Sequence, residues 1–325
     1  MAIITNETQV GEAFTGKPKK VSWERLWTFS GGPFSKVMDP KTKSIVGGWP
    51  ASNLHTDLDF ARSCGLPDKV AASATQFHGY SVQLMVDLFG AGWLSHGVMD
   101  VRFIAIVDAG DTLVSSAEVR SKDVEKDITR FTLDVNCENQ KGEKVLVGWA
   151  TGCTGKVSPQ GLREYEKHRA ELMADSTIRH DTEGRLQLAP LEYVVTPELN
   201  QQFCYGQEDF HPRYIEETEA GTAIAHPALL LNWSNGTRSP SYQAAAVGPG
   251  GGRAGLHARD ITFFLNPARV GKKLKVTWTG IGSYEKRGRP YSVGDTLIAD
   301  EDGLEIIRRL HFDTTASPEY RVRVA

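Results

Sequence analysis

Between Thr75 and Phe89 the apolar side chains recur at spacings of three and four. Phe77, Tyr80, Leu84 and Leu88 form one stripe, with Val82, Met85 and Phe89 beside it. Two adjacent stripes predict a largely buried helix. Gly90, Gly92 and Gly97 end it, and the period then changes to two. Val101–Val107, Thr112–Arg120, Asp127–Asn136 and Val145–Thr151 read as strands, with Asn139-Gln140-Lys141-Gly142 as a hairpin turn before the last. Ahead of the helix the chain is polar, with a loop at Ser30-Gly31-Gly32-Pro33. From Ser158 to Gln187 the pattern is charged and weakly amphipathic, as in Leu162–Leu172, which predicts an exposed connecting helix and linker. Apolar order returns past Leu188. A short helix follows Pro227, and Arg259–Leu265, Leu274–Ile281, Gly288–Asp300 and Leu304–Phe312 read as strands, with Asp300-Glu301-Asp302-Gly303 as their hairpin turn.

The second half of the chain is a faint echo of the first. Ser52-Asn53-Leu54-His55-Thr56-Asp57-Leu58-Asp59-Phe60-Ala61 corresponds to the run from Asp209-Phe210-His211-Pro212-Arg213-Tyr214 to Ala220. Val70-Ala71-Ala72-Ser73 corresponds to Ile224-Ala225-His226-Pro227, each just before an apolar helix. Downstream, Phe103 and Phe264 each precede a glycine by seven residues, Gly110 and Gly271. Such self-similarity predicts duplication and a pseudo-twofold arrangement. Each unit holds one apolar helix followed by antiparallel strands, an order that lets a curved sheet bury the helix. Pairing two such sheets edge to edge removes their open edges and leaves a cleft between the units.

Composition narrows the functional class. The chain has 325 residues, 40% hydrophobic and 24% charged, with a formal net charge of −3. That charge gives no long-range attraction for nucleic acid or an anionic membrane surface. Neither a signal peptide nor a bilayer-spanning apolar stretch is legible, so a cytoplasmic protein is expected. Cys64, Cys137, Cys153 and Cys204 lack CxxC spacing and read as buried free thiols, with no metal site implied. Asn232-Trp233-Ser234 and Asn235-Gly236-Thr237 match the glycosylation sequon, and with a cytoplasmic protein expected they read as a chance match.

These residues, taken in order, resemble the R-specific enoyl-CoA hydratases and MaoC-like dehydratases. The motif of that family runs Asp-x-Asn-Pro-x-His, then Ala six positions after the His, then a segment like Ile-Ala-His-Gly, and later Arg-Phe-x-x-Pro-Val-x-x-Gly-Asp-Thr-Leu. Trp23 to Phe312 can be laid on two copies of it. The resemblance implies an α+β fold, the double hotdog: two antiparallel sheets, each wrapped around a central helix, paired into one continuous sheet. The expected division is an N-terminal hotdog at 1–157, a linker helix at 158–187 and a C-terminal hotdog at 188–325. In the first copy His55 takes the His position, but the Asp position falls on Pro50. In the second, Asp209 takes the Asp position, and the His position holds Tyr214. Neither copy is complete.

Hydration of an α,β-unsaturated thioester needs a base to take a proton from water and an acid to protonate the α-carbon, roles that a closely placed Asp and His can share. Asp57, two residues past His55, and His211, two residues past Asp209, are the substitutes that keep one such pair per copy. The candidate catalytic residues are therefore His55, Asp57, Asp209 and His211. As structural roles, Asp57 suits a helix cap, and Asp209 with His211 suits turn backbone groups. Backbone donors for the thioester oxygen are expected near Ser73-Ala74 or Pro227-Ala228, although Pro227 has no N–H. His226 occupies a motif position at the pocket rim, and Tyr214 lines the same pocket. His78 and Tyr80 start the apolar helix and can face the cleft, Tyr80 also fitting the core stripe. Lys286, Arg287 and Arg289 form a basic turn suited to the phosphates of coenzyme A. Gly248-Pro249-Gly250-Gly251-Gly252 lacks the Gly-Lys-Ser/Thr of a phosphate loop and reads as a flexible connection.

The expected activity is that of a hydro-lyase on an α,β-unsaturated or β-hydroxy acyl thioester, acting in the cleft between the hotdogs. No cofactor is expected, and coenzyme A is one carrier the resemblance allows for the substrate. The expected partner is that small molecule, an acyl-CoA, with a homodimer allowed. Two alternatives stand beside it: an isomerase, cyclase or eliminase acting on a bulky natural-product or aromatic intermediate, and a non-catalytic thioester-binding partner subunit.

Overall fold

The computed structural model describes residues 2–31, 54–63, 66, 69–155, 161–180, 188–217, 221–239 and 255–315. Among them eleven strands form one antiparallel sheet. The first half supplies β1 (Ala13–Thr15), β2 (Lys19–Lys20), β3 (Val98–Phe103), β4 (Thr112–Glu125), β5 (Ile128–Asn139) and β6 (Lys144–Gly155). The second supplies β7 (Leu188–Val194), β8 (Gly255–Phe264), β9 (Lys273–Lys286), β10 (Arg289–Asp300) and β11 (Glu305–Thr315). Their order is β1-β4-β5-β6-β3-β8-β11-β10-β9-β7, with β2 also on β4. The halves meet at β3 and β8, where Val98 pairs with Phe263 and Arg102 with Arg259. That junction is the expected edge-to-edge pairing.

Six helices accompany the sheet among the described residues: α1 (Trp23–Gly31), α2 (Leu58–Ser63), α3 (Ala74–Phe89), α4 (Gly161–Ala174), α5 (Pro197–Gln207) and α6 (Pro227–Trp233). The long α3 lies against β4, β5 and β6. Phe77, Tyr80, Leu84, Met85 and Leu88 are at most 5% exposed, and burying each such side chain contributes about 1.5–3 kcal/mol. Packing of this size holds a helix that Gly79 and the β-branched Thr75, Val82 and Val86 weaken by propensity. Gly79 is where α3 meets the second half. A Cβ there would sit 2.8 Å from Cβ of Ala228 on α6 and 2.6 Å from Oε1 of Gln207 on α5.

The duplication is legible bond by bond. Ala72 N–H donates to Val107 O and Ala225 N–H to Ala268 O; Ala109 N–H donates to Val70 O and Val270 N–H to Ala223 O. Gly110 and Gly271 both take positive φ, 100° and 92°, and their N–H groups bond the carbonyls of Val21 and Val195. Ala71 N–H donates to Leu54 O at 3.4 Å, and Ile224 N–H to Arg213 O at 2.9 Å. The last pair fixes a correspondence used below: His55 matches Tyr214, and Ser73 matches His226.

Several expectations change. The strands run longer than read, because β4 continues past Arg120 to Glu125 through polar residues after a register shift between Val119 and Ser121. The N-terminal run is not simply polar loop: Ser30 and Gly31 close α1. Helix α5 was not anticipated, although Thr196 caps it by accepting from Leu199 N–H and Pro197 takes the first turn. These two helices pack on each other through the Phe29 and Phe203 rings, 5.2 Å between centroids. The connecting helix α4 exposes its charges but buries Tyr165, which joins Ile261, Phe263, Leu310 and Phe312 in a second core on the outer face of the sheet. Cys137, Cys153 and Cys204 are buried free thiols; Cys64 and the Gly248–Gly252 run lie outside the described residues.

Candidate active site at the starts of the two central helices

Helix α3 starts at Ser73. Its hydroxyl contacts Thr75 Oγ1 at 2.8 Å and makes no side-chain cap; the Ser73 carbonyl takes the Gln76 N–H at 2.9 Å, and the Ala74 and Thr75 N–H groups stand ahead of it at the helix end. Two residues upstream, the Ala71 carbonyl lies 2.7 Å from Nδ1 of His55. A carbonyl only accepts, so Nδ1 carries the ring proton and Nε2 is the basic nitrogen. Burial pushes the His55 pKa down to about 4, against the Ala71 hydrogen bond, and the charges of Arg238 and His257 act in the same direction as burial. The ring is therefore neutral at pH 7. It remains partly accessible, and an uncapped helix start stands beside it.

The equivalent place in the second copy is closed. His226, at the position of Ser73, caps α6 with its own ring: Nδ1 accepts from Ala228 N–H at 3.2 Å. Its Nε2 lies 3.4 Å from Oδ2 of Asp209, a charge contact outside good hydrogen-bond alignment. Tyr214, at the position of His55, lays its ring 4.6 Å from the His226 ring and is 2% exposed. Asn200 from α5 fastens the three strands of backbone, donating to Tyr214 O at 2.7 Å and Ile224 O at 3.3 Å and accepting from His226 N–H at 2.6 Å. Burial alone would raise the Asp209 carboxyl. The His226 ring, the His211 backbone N–H and the Lys19 charge instead hold it below its usual value. Lys19 is itself buried, which lowers its pKa, and donates to Glu208 O at 2.8 Å.

The sequence-derived pairs thus rearrange. Asp209 meets His226 and not the His211 ring, because His211 turns its Nδ1 to Arg213 N–H and caps a short turn at Pro212–Tyr214. Asp57 accepts from Asp59 N–H at 3.0 Å and caps α2, the structural role weighed for it. His78 is fully buried at the junction of the halves, 3.6 Å from Asp260, which also pairs with Arg309. Arg309 in turn donates to Leu231 O at 2.9 Å and so ties the end of α6 to the sheet. Tyr80 belongs to the core. Arg287 and Arg289 stand at the β9–β10 turn, with Arg287 at φ 52°. The β10–β11 register, Tyr291 opposite Thr314, puts that turn at the sheet end where Asp313 pairs with His257. Ala74 opens α3, as expected of a residue beside the backbone donors.

His257 and Asp313 escaped the sequence reading. They are 56 positions apart in the chain (313 − 257), and only strand register joins them.

Two duplicated units joined through one antiparallel sheet make a double hotdog, the fold of the MaoC-like dehydratases. A chain described as a MaoC domain dehydratase from Chloroflexus aurantiacus superposes with a TM-score of 0.66 at 12% identity, covering 97% of this chain and 97% of that one. A double-hotdog protein of Mycobacterium tuberculosis gives 0.57 at 11% identity, over 95% of this chain and 97% of its own. The full-length peroxisomal multifunctional enzyme type 2 of Drosophila melanogaster gives 0.55 at 16%, with 92% of this chain covering 48% of that one. No protein-family profile and no curated protein matches the sequence. Likeness at these identities is likeness of fold. Among the described residues no helix is long and apolar enough to cross a membrane.

Proposed function

We propose that the chain is a hydro-lyase of the MaoC-like kind, acting on an α,β-unsaturated or β-hydroxy acyl thioester at the start of α3. Each half is one hotdog, 1–157 and 188–325, with 158–187 as the connection. The observation that carries the reading is the neutral, partly accessible His55 imidazole held by Ala71 O beside an uncapped helix N-terminus. In the hydration direction His55 Nε2 takes a proton from water as the oxygen bonds to the β-carbon. Negative charge then grows on the thioester oxygen, where first-turn N–H groups of α3 and the helix dipole stabilise it. Protonation of the α-carbon completes the addition. Coenzyme A is the proposed carrier, with Arg287 and Arg289 as its phosphate contacts.

One observation favours a second reading. Asp57 accepts from the Asp59 N–H at the start of α2, so its carboxylate is engaged with backbone while His55 stands as the base. Moving a double bond along an acyl chain needs a single base that takes a proton from one carbon and returns it to another. The test is to mix the purified protein with short, branched and aromatic enoyl-CoA esters, follow the conjugated-thioester absorbance, and identify products by NMR. Water added at the β-carbon supports the hydro-lyase; a shifted double bond supports the isomerase. No consumption of any ester overturns both.

A further inference from the structure

Helices α3, α5 and α6 all start from a residue in the extended N-cap conformation: Ser73 at φ −63° and ψ 136°, Thr196 at −74° and 157°, His226 at −61° and 127°. Thr196 and His226 cap with their side chains, accepting from Leu199 N–H and Ala228 N–H, both at 3.2 Å. Serine is among the strongest N-cap residues, yet the Ser73 side chain makes no cap. The difference lies two positions on. Glu198 and Ala228 follow the other two caps, whereas Thr75 follows Ser73 and draws its hydroxyl aside. Ser73 Oγ and Thr75 Oγ1 stand 2.8 Å apart, in residues only 5% and 0% exposed. Thr75 is the second residue of α3, so no helical carbonyl lies one turn before it to take its hydroxyl. The two hydroxyls satisfy each other instead, and either one left alone in this buried place would carry the cost of an unmade hydrogen bond.

We infer that Thr75 is a positioning residue of the α3 site: its hydroxyl holds the Ser73 hydroxyl off the helix end and so reserves the first-turn N–H groups for the substrate oxygen. This rests on the proposed thioester chemistry at α3. Ser73 already has the backbone conformation of a cap. Without the Thr75 hydroxyl its own hydroxyl turns to the N–H of residue 75 or 76, the second and third helical positions. An N–H engaged in that way gives up its part in stabilising the charge that grows on the thioester oxygen in the transition state. The His55 imidazole is anchored separately, 2.7 Å from Ala71 O and two residues upstream of Ser73. Base and backbone donors are thus set by different contacts within one short stretch, Ala71 to Thr75. Loss of the Thr75 hydroxyl acts on the donors alone and leaves the His55 anchor in place.

The test compares wild type with Thr75→Val, Thr75→Ser and the double variant Ser73→Ala/Thr75→Val in the full chain, on an enoyl-CoA ester that the wild type consumes, with folding checked by circular dichroism. Valine keeps the shape of the threonine side chain and removes the hydroxyl. Thr75→Val should lower kcat by about tenfold or more with KM little changed, because the donors act on charge present only in the transition state. Thr75→Ser, which restores the hydroxyl, should recover most of that loss. The double variant has no hydroxyl left to cap the helix, so its turnover should return to within about threefold of wild type. A packing role for Thr75 would not be relieved by taking a further side chain away. A smaller loss in Thr75→Val, or a loss that Ser73→Ala does not relieve, overturns the inference. Thr75→Ala takes the place of Thr75→Val, alone and in the double variant, if valine prevents folding. If the wild type consumes no ester, the hydro-lyase reading fails separately, and amide hydrogen exchange decides the inference. Exchange at residue 75 or Gln76 should slow by about tenfold or more in Thr75→Val and return in the double variant, and unchanged rates overturn it.

Discussion

The starts of α3 and α6 are the same piece of fold put to opposite uses. Each follows a short bridge back to the β-strand loop, Ala71 to Asp108 and Ile224 to Arg269. At α3 the imidazole sits in the loop, at position 55, and the helix end is uncapped. At α6 the imidazole has moved to the cap position, 226, a tyrosine fills the loop position, and Asn200 satisfies the backbone around both. A helix end whose donors are capped internally has none left for a substrate oxygen. Under the proposed function, chemistry falls to the first copy and cohesion to the second.

The largest expected effect separates the two directly. His55→Ala should lower turnover by about 100-fold or more, whereas Asp209→Asn should leave it within about threefold, measured on the same enoyl-CoA ester. Equal losses would erase the distinction.

The reverse asymmetry is expected in stability. His226→Ala removes the α6 cap and strands the buried Asp209 carboxylate, at a cost of about 3 kcal/mol, read as a lower denaturant midpoint. Because the folded Asp209 pKa is depressed, its stabilisation is complete above the unfolded value of about 3.9 and is lost as pH falls through the folded one. In His226→Ala the loss of stability below about pH 4 should be shallower. An unchanged acid slope would mean that His226 does not set the Asp209 titration.

Ser73→Asp gives the first helix the plug that the second already has. It should hold stability level or raise it by about 1 kcal/mol through capping, while lowering turnover by about tenfold or more because a carboxylate takes the donors meant for the thioester oxygen. Retained turnover would exclude the α3 N–H groups from the reaction. The smallest effect belongs to Tyr214→Phe. The Tyr214 hydroxyl is buried without a hydrogen-bond partner, so its removal should leave stability unchanged or raise it by about 1 kcal/mol in thermal unfolding, with turnover unaltered.

Much of the scaffold can be read from local pattern. The apolar stripes from Phe77 to Phe89 and the turns at Asn139–Gly142 and Asp300–Gly303 are short-range signals, and α3 and the β5–β6 and β10–β11 hairpins follow from them. Helix α5 was equally legible, through Thr196-Pro197-Glu198, but its weak apolar face hid it. The candidate residues were legible in position and not in partnership. His55 and Asp209 stand where the repeat marks them, yet Asp57 and His211 were joined to them by closeness in sequence, and both turn to local backbone N–H groups instead. The pairs that form, Asp209 with His226 and His257 with Asp313, depend on the fold bringing α6 to the second loop and on one extra residue in β8. No local period encodes either.

The single sheet joined at β3 and β8 also has a consequence for how such a protein changes over time. In a dimer of two identical hotdogs every substitution is made twice, so a residue that seals one cleft seals both. Here the two copies are written separately in one gene product. Tyr214 could arise in one without touching His55 in the other. Covalent fusion therefore releases the molecule from its own symmetry, so that each copy can change without the other.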